Sequence, residues 1–186
     1  MQLVWPTAEH LPGYIAALES GWSADNVRGA AAAAEELARI RQDAAGFIAA
    51  QIDREAKGDP VILPDGSLAR RIPGFRRWMW DDGTFCGVIG FRWQPGTEAL
   101  PPHCLGHVGY AVVPAQRNRG HAKQALAQTL PLARAEGLRW IELTTDVDNP
   151  ASRRTIEANA GVLVERFTKP EAYGSTPGLR YRITLA

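Results

Sequence analysis

The segment 107–137 restricts the fold most, because the spacing of its apolar residues changes from a period of two to a helical period. Its first part, 107–113, has the composition of a strand, and Pro114 ends that strand since proline has no amide to donate to a ladder. The apolar residues that follow share one face of a helix: Ala122, Ala125, Leu126, Thr129, Leu130 and Ala133. Gly137 is the expected C-terminal cap, and 139–145 is predicted to be a strand. Strand, crossover helix and strand together predict at least one parallel pair.

The remaining segments add antiparallel strands and helices to this unit. After a short strand at 3–5, the chain up to residue 50 is predicted to be mainly helical. Residues 75–80 and 84–93 are rich in aromatic and β-branched side chains on either side of an Asp-Asp-Gly turn, which predicts a hairpin. The last strands are predicted at 162–167 and 179–185. We therefore expect an α+β, mixed three-layer fold.

Two further segments are defined by their capping and turn residues. Asn149 followed by Pro150 is a favourable start for a helix, which we expect to stop at Gly161. Turn-forming residues are so frequent between 57 and 74 that we predict a loop or a short extra hairpin there, not a domain boundary. The chain is expected to form one domain over residues 1–186.

The charged residues are nearly balanced, with 21 Lys and Arg against 20 Asp and Glu among 186 residues. A chain without a strong net charge has no overall field to attract nucleic acid or an anionic membrane, so neither is an expected partner. Its N-terminus lacks the basic and apolar pattern of a signal peptide, and no apolar run reaches the roughly 18 residues of a spanning helix. We expect a soluble, cytoplasmic protein in which any anion site is local.

The loop 116–123, between the predicted strand and the predicted helix, concentrates positive charge. Its cations are Arg117, Arg119 and Lys123. The start of a helix leaves amides without partners and carries partial positive charge, so a loop ending in Gly-x-Ala can wrap a phosphate with backbone N–H groups. Gly120 and Ala122 let an anion approach where a larger side chain would block it. The loop therefore predicts a pyrophosphate site, the alternative being a basic loop that only caps the helix.

Two motifs in this order resemble those of the GNAT acetyltransferase superfamily. The loop 117–122, Arg-Asn-Arg-Gly-His-Ala, matches its acetyl-CoA pattern Arg/Gln-x-x-Gly-x-Gly/Ala, and 148–152, Asp-Asn-Pro-Ala-Ser, follows at the next strand-to-helix turn. The similarity is strongest over 107–167, and within the superfamily it is to a group of bacterial predicted acetyltransferases. The resemblance implies a GNAT-like acyl-CoA N-acyltransferase fold, with a central, mostly antiparallel sheet, a parallel splayed pair and helices on both faces.

The resemblance also implies roles for individual residues. Backbone groups of Val112 and Val113 would contact the pantetheine arm of acetyl-CoA, which enters between the splayed strands. The pyrophosphate would be held by Arg117, Asn118, Arg119, Gly120, His121, Ala122 and Lys123. Asn149 would contact the cofactor arm, cap the helix or do both, while Ser152 occupies a position where alanine or serine is usual. The side chain of His121 is expected to face solvent or the phosphate, and no metal is implied.

The implied reaction is direct attack of a neutral primary amine on the acetyl thioester in a ternary complex. Relatives place a tyrosine, as the acid for the leaving sulfur, seven residues after the asparagine, where this chain has Ile156. Tyr110 and Tyr173 are then the alternative hydroxyl donors. His107, at the start of the strand, is the first candidate for the base, the alternative being a hydrogen-bonded histidine of the core. Weaker candidates in the preceding loop are His103 and Glu98.

The acceptor is expected to be a small-molecule amine or a protein amine. In the superfamily its site is built from the N-terminal helices and variable loops, here 22–28, 59–75 and 94–105, and the expected assembly is a monomer or a homodimer. A non-catalytic acyl-CoA-binding regulatory module is the alternative that Ile156 keeps open, and amine turnover distinguishes the two. A different nucleotide-binding fold is disfavoured, because the loop lacks Gly-Lys-Ser/Thr and the glycine spacing of a dinucleotide site.

Overall fold

The computed structural model describes residues 1–25 and 27–185; Asn26, in the expected acceptor loop 22–28, lies outside the described residues. The helices are α1 (Leu11–Glu19), α2 (Ala30–Gln42), α3 (Ala44–Ala49), α4 (His121–Ala135) and α5 (Pro150–Glu157). The strands are β1 (Gln2–Val4), β2 (Ile52–Asp53), β3 (Val61–Ile62), β4 (Leu68–Ala69), β5 (Gly74–Asp81), β6 (Thr84–Arg92), β7 (Val108–Val112), β8 (Trp140–Asp146), β9 (Val162–Thr168) and β10 (Pro177–Thr184). None of the helices in the described residues has the length and apolar character to cross a membrane.

The strands form two main sheets that meet at one junction. The first has the order β1-β5-β6-β7, with β2 also paired to β5, and the second has the order β8-β10-β9. All of these ladders are antiparallel. β3 and β4 pair with each other as a separate two-stranded hairpin, which is the short extra hairpin that the turn residues predicted.

The predicted parallel pair corresponds to β7 and β8, which α4 connects. At their junction the backbone N–H of His107 donates to the carbonyl of Glu142 at 2.7 Å. Beyond that bond the two strands share no ladder within the part of the chain described, since β7 pairs with β6 and β8 pairs with β10. The fold class is confirmed, and in the described residues β7 and β8 are joined by hydrogen bonds only at this junction.

The β5–β6 hairpin sets the position of β7. Its turn has Asp82 at φ 45° and Gly83 at φ 72°, the left-handed pair that gives a two-residue turn the twist of its strands. A register shift follows between Met79 and Trp80, and Gly87 then lies opposite Val112 at the end of β7. The irregularity in β6 therefore lies beside the end of the strand that the sequence assigned to the cofactor.

Helices cover both faces of the first sheet. On one face α1, α2 and α3 pack on Trp78, whose ring is stacked on Tyr14 with centroids 4.6 Å apart. On the other face α4 contributes Ala125 and Leu126 to a cluster that continues under α5 and the second sheet. This cluster spans the two sheets, so the junction of β7 and β8 is fixed by burial on the α4 side.

The end of α5 differs from the prediction. The helix ends at Glu157 and not at Gly161, because Ala160 adopts a left-handed conformation with φ 61° and the chain turns there. The N–H of Gly161 donates to the carbonyl of Ile156 at 3.0 Å, which satisfies one of the last carbonyls of the helix. Glycine at 161 is required by close packing, since a Cβ there would clash with the side chain of Ile156.

We predict that Gly87→Ala destabilises the protein by about 1–3 kcal/mol, the usual cost of forcing atoms into a packed site. A Cβ at Gly87 would clash with the carbonyl of Ala111 and lie 2.9 Å from Cα of Val112. Gly90→Ala is the matched control on the same strand, because the nearest atom to its Cβ would be at an ordinary 3.6 Å. Urea unfolding of the two variants measures the difference, and equal midpoints would contradict the packing at Gly87.

Candidate active site

The start of α4 presents backbone amides that donate to no acceptor in the described residues. Gly120 occupies the N-cap position in a left-handed conformation with φ 79°, and no side chain caps the helix. The first backbone bond of the helix runs from Gln124 N–H to the Gly120 carbonyl at 3.0 Å. Among the described residues the amides of 120–123 donate to no protein acceptor, so they remain available to an anion.

The three cationic side chains of the loop are exposed, so they are accessible to the pyrophosphate that the sequence analysis predicted. Arg117, Arg119 and Lys123 all lie at the surface and form no ion pair within the described chain. Arg117 Nε donates to the carbonyl of Val112 at 3.3 Å, which draws this guanidinium toward the end of β7. Asp81, a carboxylate that interacts electrostatically with Arg119, is already paired with the N-terminal ammonium at 2.9 Å. The loop therefore offers both hydrogen-bond donors and uncompensated positive charge.

The side chain of His121 does not face solvent or a phosphate, as the sequence analysis expected. It is only 4% exposed, and both ring nitrogens lie buried without a hydrogen-bond partner among the described residues. The reason is helical periodicity, since His121 lies one turn before the buried Ala125 on the face of α4 that packs on the sheet. The contact that His121 offers an anion is its backbone N–H.

β7 and β8 separate beyond their junction and leave a gap between the two sheets. At the closed end, Gly106 packs against the backbone of β8, where a Cβ would lie 3.1 Å from the carbonyl of Glu142. At the open end, the N–H of Val113 donates across to Cys86 on β6 at 2.9 Å. Because successive peptide groups alternate in direction along a strand, the backbone of Val112 faces the gap.

A pair of hydroxyl groups bridges the two elements on either side of this gap. The hydroxyl of Tyr110, on β7, lies 2.9 Å from Oγ of Ser152 in the first turn of α5. Burial raises the pKa of the Tyr110 phenol, whereas the hydrogen bond to Ser152 lowers it. Sequence analysis named Tyr110 as an alternative acid and Ser152 as a cofactor residue, but it did not pair them. The alternation of side chains along 108–112 was the available signal, because it places the Tyr110 side chain on the face of the sheet opposite that of Ala111.

Asn149 and Ile156 are explained by the packing of α5. Oδ1 of Asn149 accepts from the N–H of Ser152 at 3.0 Å, so Asn149 caps the helix and its amide nitrogen is left for another partner. Ile156 is fully buried, against Gly161. This position, where relatives carry the tyrosine, points into the core here, and no hydroxyl reaches the gap from it.

His107 lies at the closed end of the gap, not in it. It is fully buried, and its Nδ1 accepts from the backbone N–H of Glu142 at 2.9 Å. Burial lowers the pKa of His107 to about 4, which keeps the imidazole neutral with its remaining proton on Nε2. The geometry supports the alternative stated above, a hydrogen-bonded histidine of the core that holds β7 to β8.

The other predicted catalytic candidates lie outside the gap. Glu98 forms an ion pair with Arg139 at 2.7 Å, and this bond lowers the pKa of the Glu98 carboxyl to about 2. The backbone carbonyl of His103 accepts from the hydroxyl of Tyr173 at 2.7 Å. These contacts fasten the loop 94–105 to the second sheet, so Tyr173 does not supply the missing acid.

Comparison with known proteins agrees with this geometry. The sequence profile of the Acetyltransferase (GNAT) family matches residues 31–161. The chain is similar in structure to the microcin C7 self immunity acetyltransferase MccE in complex with acetyl-CoA and AMP, with a TM-score of 0.64 and 12% identity over 98% of this chain and 91% of MccE. It is also similar to RimL, the ribosomal L7/L12 alpha-N-protein acetyltransferase in complex with coenzyme A, with a TM-score of 0.60 and 15% identity over 98% of this chain and 93% of RimL. No curated protein matches the sequence significantly.

We predict that His107 makes the protein less stable in mild acid. The pKa of His107 is about 4 when folded and about 6.5 when unfolded, so between these pH values the unfolded chain binds the extra proton. Above pH 6.5 protonation of His107 takes little from the free energy of unfolding. On going from pH 7 to pH 5 that free energy falls by about 2 kcal/mol. Urea unfolding of the wild type and His107→Asn, whose side-chain oxygen can accept the same N–H, measures the effect. An equal loss in both proteins would contradict it.

Proposed function

Because the chain belongs to the acetyltransferase (GNAT) family, we propose that it transfers the acetyl group of acetyl-CoA to a primary amine. The observation that carries this proposal is the set of unpartnered amides at 120–123, directly beside the open end of the gap between β7 and β8. A pyrophosphate needs these donors, and an extended thioester arm fits between two strands whose facing edges are unpaired. The whole chain, 1–186, acts as one domain in this proposal.

The donor is held by main-chain groups more than by side chains. The amides of 120–123 and the charges of Arg117, Arg119 and Lys123 bind the pyrophosphate, with Asn118 supplying a left-handed turn at φ 62°. The pantetheine arm runs along the gap-facing backbone of Val112, so the acetyl group is placed near Tyr110 and Ser152. The N–H of Val113, which the sequence analysis also assigned to this arm, points away from the gap and donates to Cys86 on β6. Asn149 contributes its free amide nitrogen from the cap of α5. MccE was solved with acetyl-CoA, and its fold is shared by this chain.

In the proposed reaction the attacking nitrogen loses one proton and the leaving sulfur gains one. The amine nitrogen attacks the carbonyl carbon and forms the C–N bond, which places negative charge on the oxygen of the tetrahedral intermediate. Collapse of the intermediate breaks the C–S bond, and the leaving thiolate takes a proton from a hydroxyl donor. The ammonium loses one proton to solvent. A backbone N–H at the gap-facing edge of β7 stabilises the oxyanion without any need for reorganisation.

Tyr110 and Ser152 together replace the acid that is absent at Ile156. Their hydroxyls lie 2.9 Å apart, on opposite walls of the gap, so a proton given up by one can be replaced through the other. A thiol with a pKa of roughly 8.5 is a fair leaving group, so the acid needs to supply only part of the barrier reduction. This pair favours a catalytic protein over a module that only binds acyl-CoA.

His107 is assigned to positioning in this mechanism. To act as a base it would have to give up the bond from Glu142 N–H that fixes its ring, and its low pKa makes it a weak proton acceptor at neutral pH. By holding β7 to β8 at one end, it sets the width of the gap at the other. The acceptor is a primary amine on a small molecule or on a protein, and the protein acts as a monomer or a homodimer.

We predict that Tyr110→Phe and Ser152→Ala each lower kcat for amine acetylation about 10- to 100-fold. This is at or below the lower end of the roughly 100- to 10,000-fold typical of general acid–base catalysis, because a thiol is already a fair leaving group. KM for acetyl-CoA should change less than about threefold, because the pyrophosphate loop is untouched. Thiol release from acetyl-CoA, measured over a panel of primary amines, gives both constants.

The matched control for this test is Tyr181→Phe, which removes another half-buried hydroxyl, one that donates to Glu157 at 2.9 Å away from the gap. It should keep wild-type kcat. Full activity in Tyr110→Phe and in Ser152→Ala would contradict the assigned acid. Acetyl-CoA binding without turnover of any amine would instead favour the regulatory module.

A further inference from the structure

A pair of glycines leaves an uncovered strip on the face of the sheet that carries α1, α2 and α3. Val88 and Ala111 lie opposite each other on β6 and β7, and both are buried under these helices. Two residues along, Gly90 lies opposite Gly109 on the same face, and both glycines are partly exposed. We call this second, partly exposed row the glycine row.

The guanidinium of Arg92 lies over the glycine row. Arg92 follows Gly90 by two residues on β6, so its side chain projects from the same face. A Cβ at Gly109 would lie 3.0 Å from a terminal guanidinium nitrogen of Arg92, which places the charge directly above the middle of β7. Any other residue at 109 would displace this side chain.

Among the described residues Arg92 has no anionic partner. It is half-buried, and within residues 1–25 and 27–185 it forms no ion pair and no side-chain hydrogen bond. A guanidinium carries five donors in a planar fork that matches a carboxylate or a phosphate, and leaving it partly desolvated without one is unfavourable. The other arginines of the central strands are occupied: Arg76 pairs with Glu36, and Arg77 stacks on Trp5.

The neighbouring charges leave a net positive site. Glu36 accepts from the hydroxyl of Tyr14 and pairs with Arg76 at 3.5 Å, so its charge is offset on the far side of Gly90. The imidazole of His107, also near Arg92, is neutral at physiological pH for the reasons given above. Arg92 is therefore the one uncompensated charge facing the glycine row among the described residues.

We propose that Arg92 binds an anionic group of the acceptor, a carboxylate or a phosphate, in the depression above Gly90 and Gly109. This rests on the proposed function, since Gly109 directly precedes Tyr110 and the acceptor must approach the gap from one face of β7. The face that carries α1, α2 and α3 is open at the glycine row, whereas the opposite face is filled by α4 and its cluster. The substrate class is then an amine that carries a negative charge.

The test compares acceptors in matched pairs, by calorimetric titration of the protein saturated with CoA, which binds without reacting. β-Alanine is paired with β-alaninamide, and O-phosphoethanolamine with ethanolamine. We expect the member of at least one pair that carries the carboxylate or phosphate to bind 10-fold or more tightly than the partner that lacks it, and the pair that shows the difference identifies the anionic group. Arg92→Gln should abolish the difference, while Arg92→Lys should keep part of it.

The control is Arg166→Gln, which removes an exposed and unpaired arginine on β9 and should keep the wild-type preference. Equal affinities in the wild type for members with and without the anionic group, including no binding of either, overturn the inference. Persistence of the preference in Arg92→Gln overturns it as well. Acetyl-CoA binding is measured in the same preparations, because its absence would contradict the proposed function, whereas retained binding without a preference contradicts only the role of Arg92.

Discussion

The two hydrogen bonds between His107 and the backbone of Glu142 hold β7 and β8 together at one end only. The rest of the site depends on this one-sided contact. If the strands paired along their whole length, the sheet would be continuous and its inner edges would be satisfied. Because pairing stops at the junction, β7 and β8 each keep an unpaired edge that can receive an extended ligand. A buried, neutral histidine suits this position, since it accepts a backbone N–H without bringing a charge into the core.

The elements that follow the two strands then converge on the open end of the gap. β7 leads through a basic loop into α4, whose first amides, at 120–123, donate to no acceptor among the described residues. β8 leads into α5, whose first turn brings Ser152 to the hydroxyl of Tyr110. In the proposed site the start of α4 binds the phosphate, and the start of α5 places Ser152 beside the reacting thioester. In the proposal above, the acceptor binds separately, at the glycine row and Arg92 on the face of β7 that carries α1, α2 and α3.

Local chemistry made part of this site predictable. The cap formed by Asn149 and the Asp-Gly hairpin turn depend on a few adjacent residues, and both occur as expected. The Tyr110–Ser152 pair was not predicted, because its members are 42 residues apart and meet only through packing of α5. The burial of His121 was mispredicted, since the phosphate-loop pattern specifies backbone groups and not the direction of a side chain. The position of Arg92 over Gly109 was not predicted either, because it depends on the register between β6 and β7.

The most direct test of the account is calorimetric titration of the protein with acetyl-CoA beside two glutamate variants at opposite ends of α4. Gly120→Glu adds a negative side chain at the unused amides, and Gly137→Glu adds the same residue at a glycine of similar conformation, φ 87°, with open space around it. The account predicts that the wild type and Gly137→Glu bind acetyl-CoA with equal affinity and that Gly120→Glu binds at least 10-fold more weakly. No binding by the wild type, or undiminished binding by Gly120→Glu, would contradict the assignment of this loop.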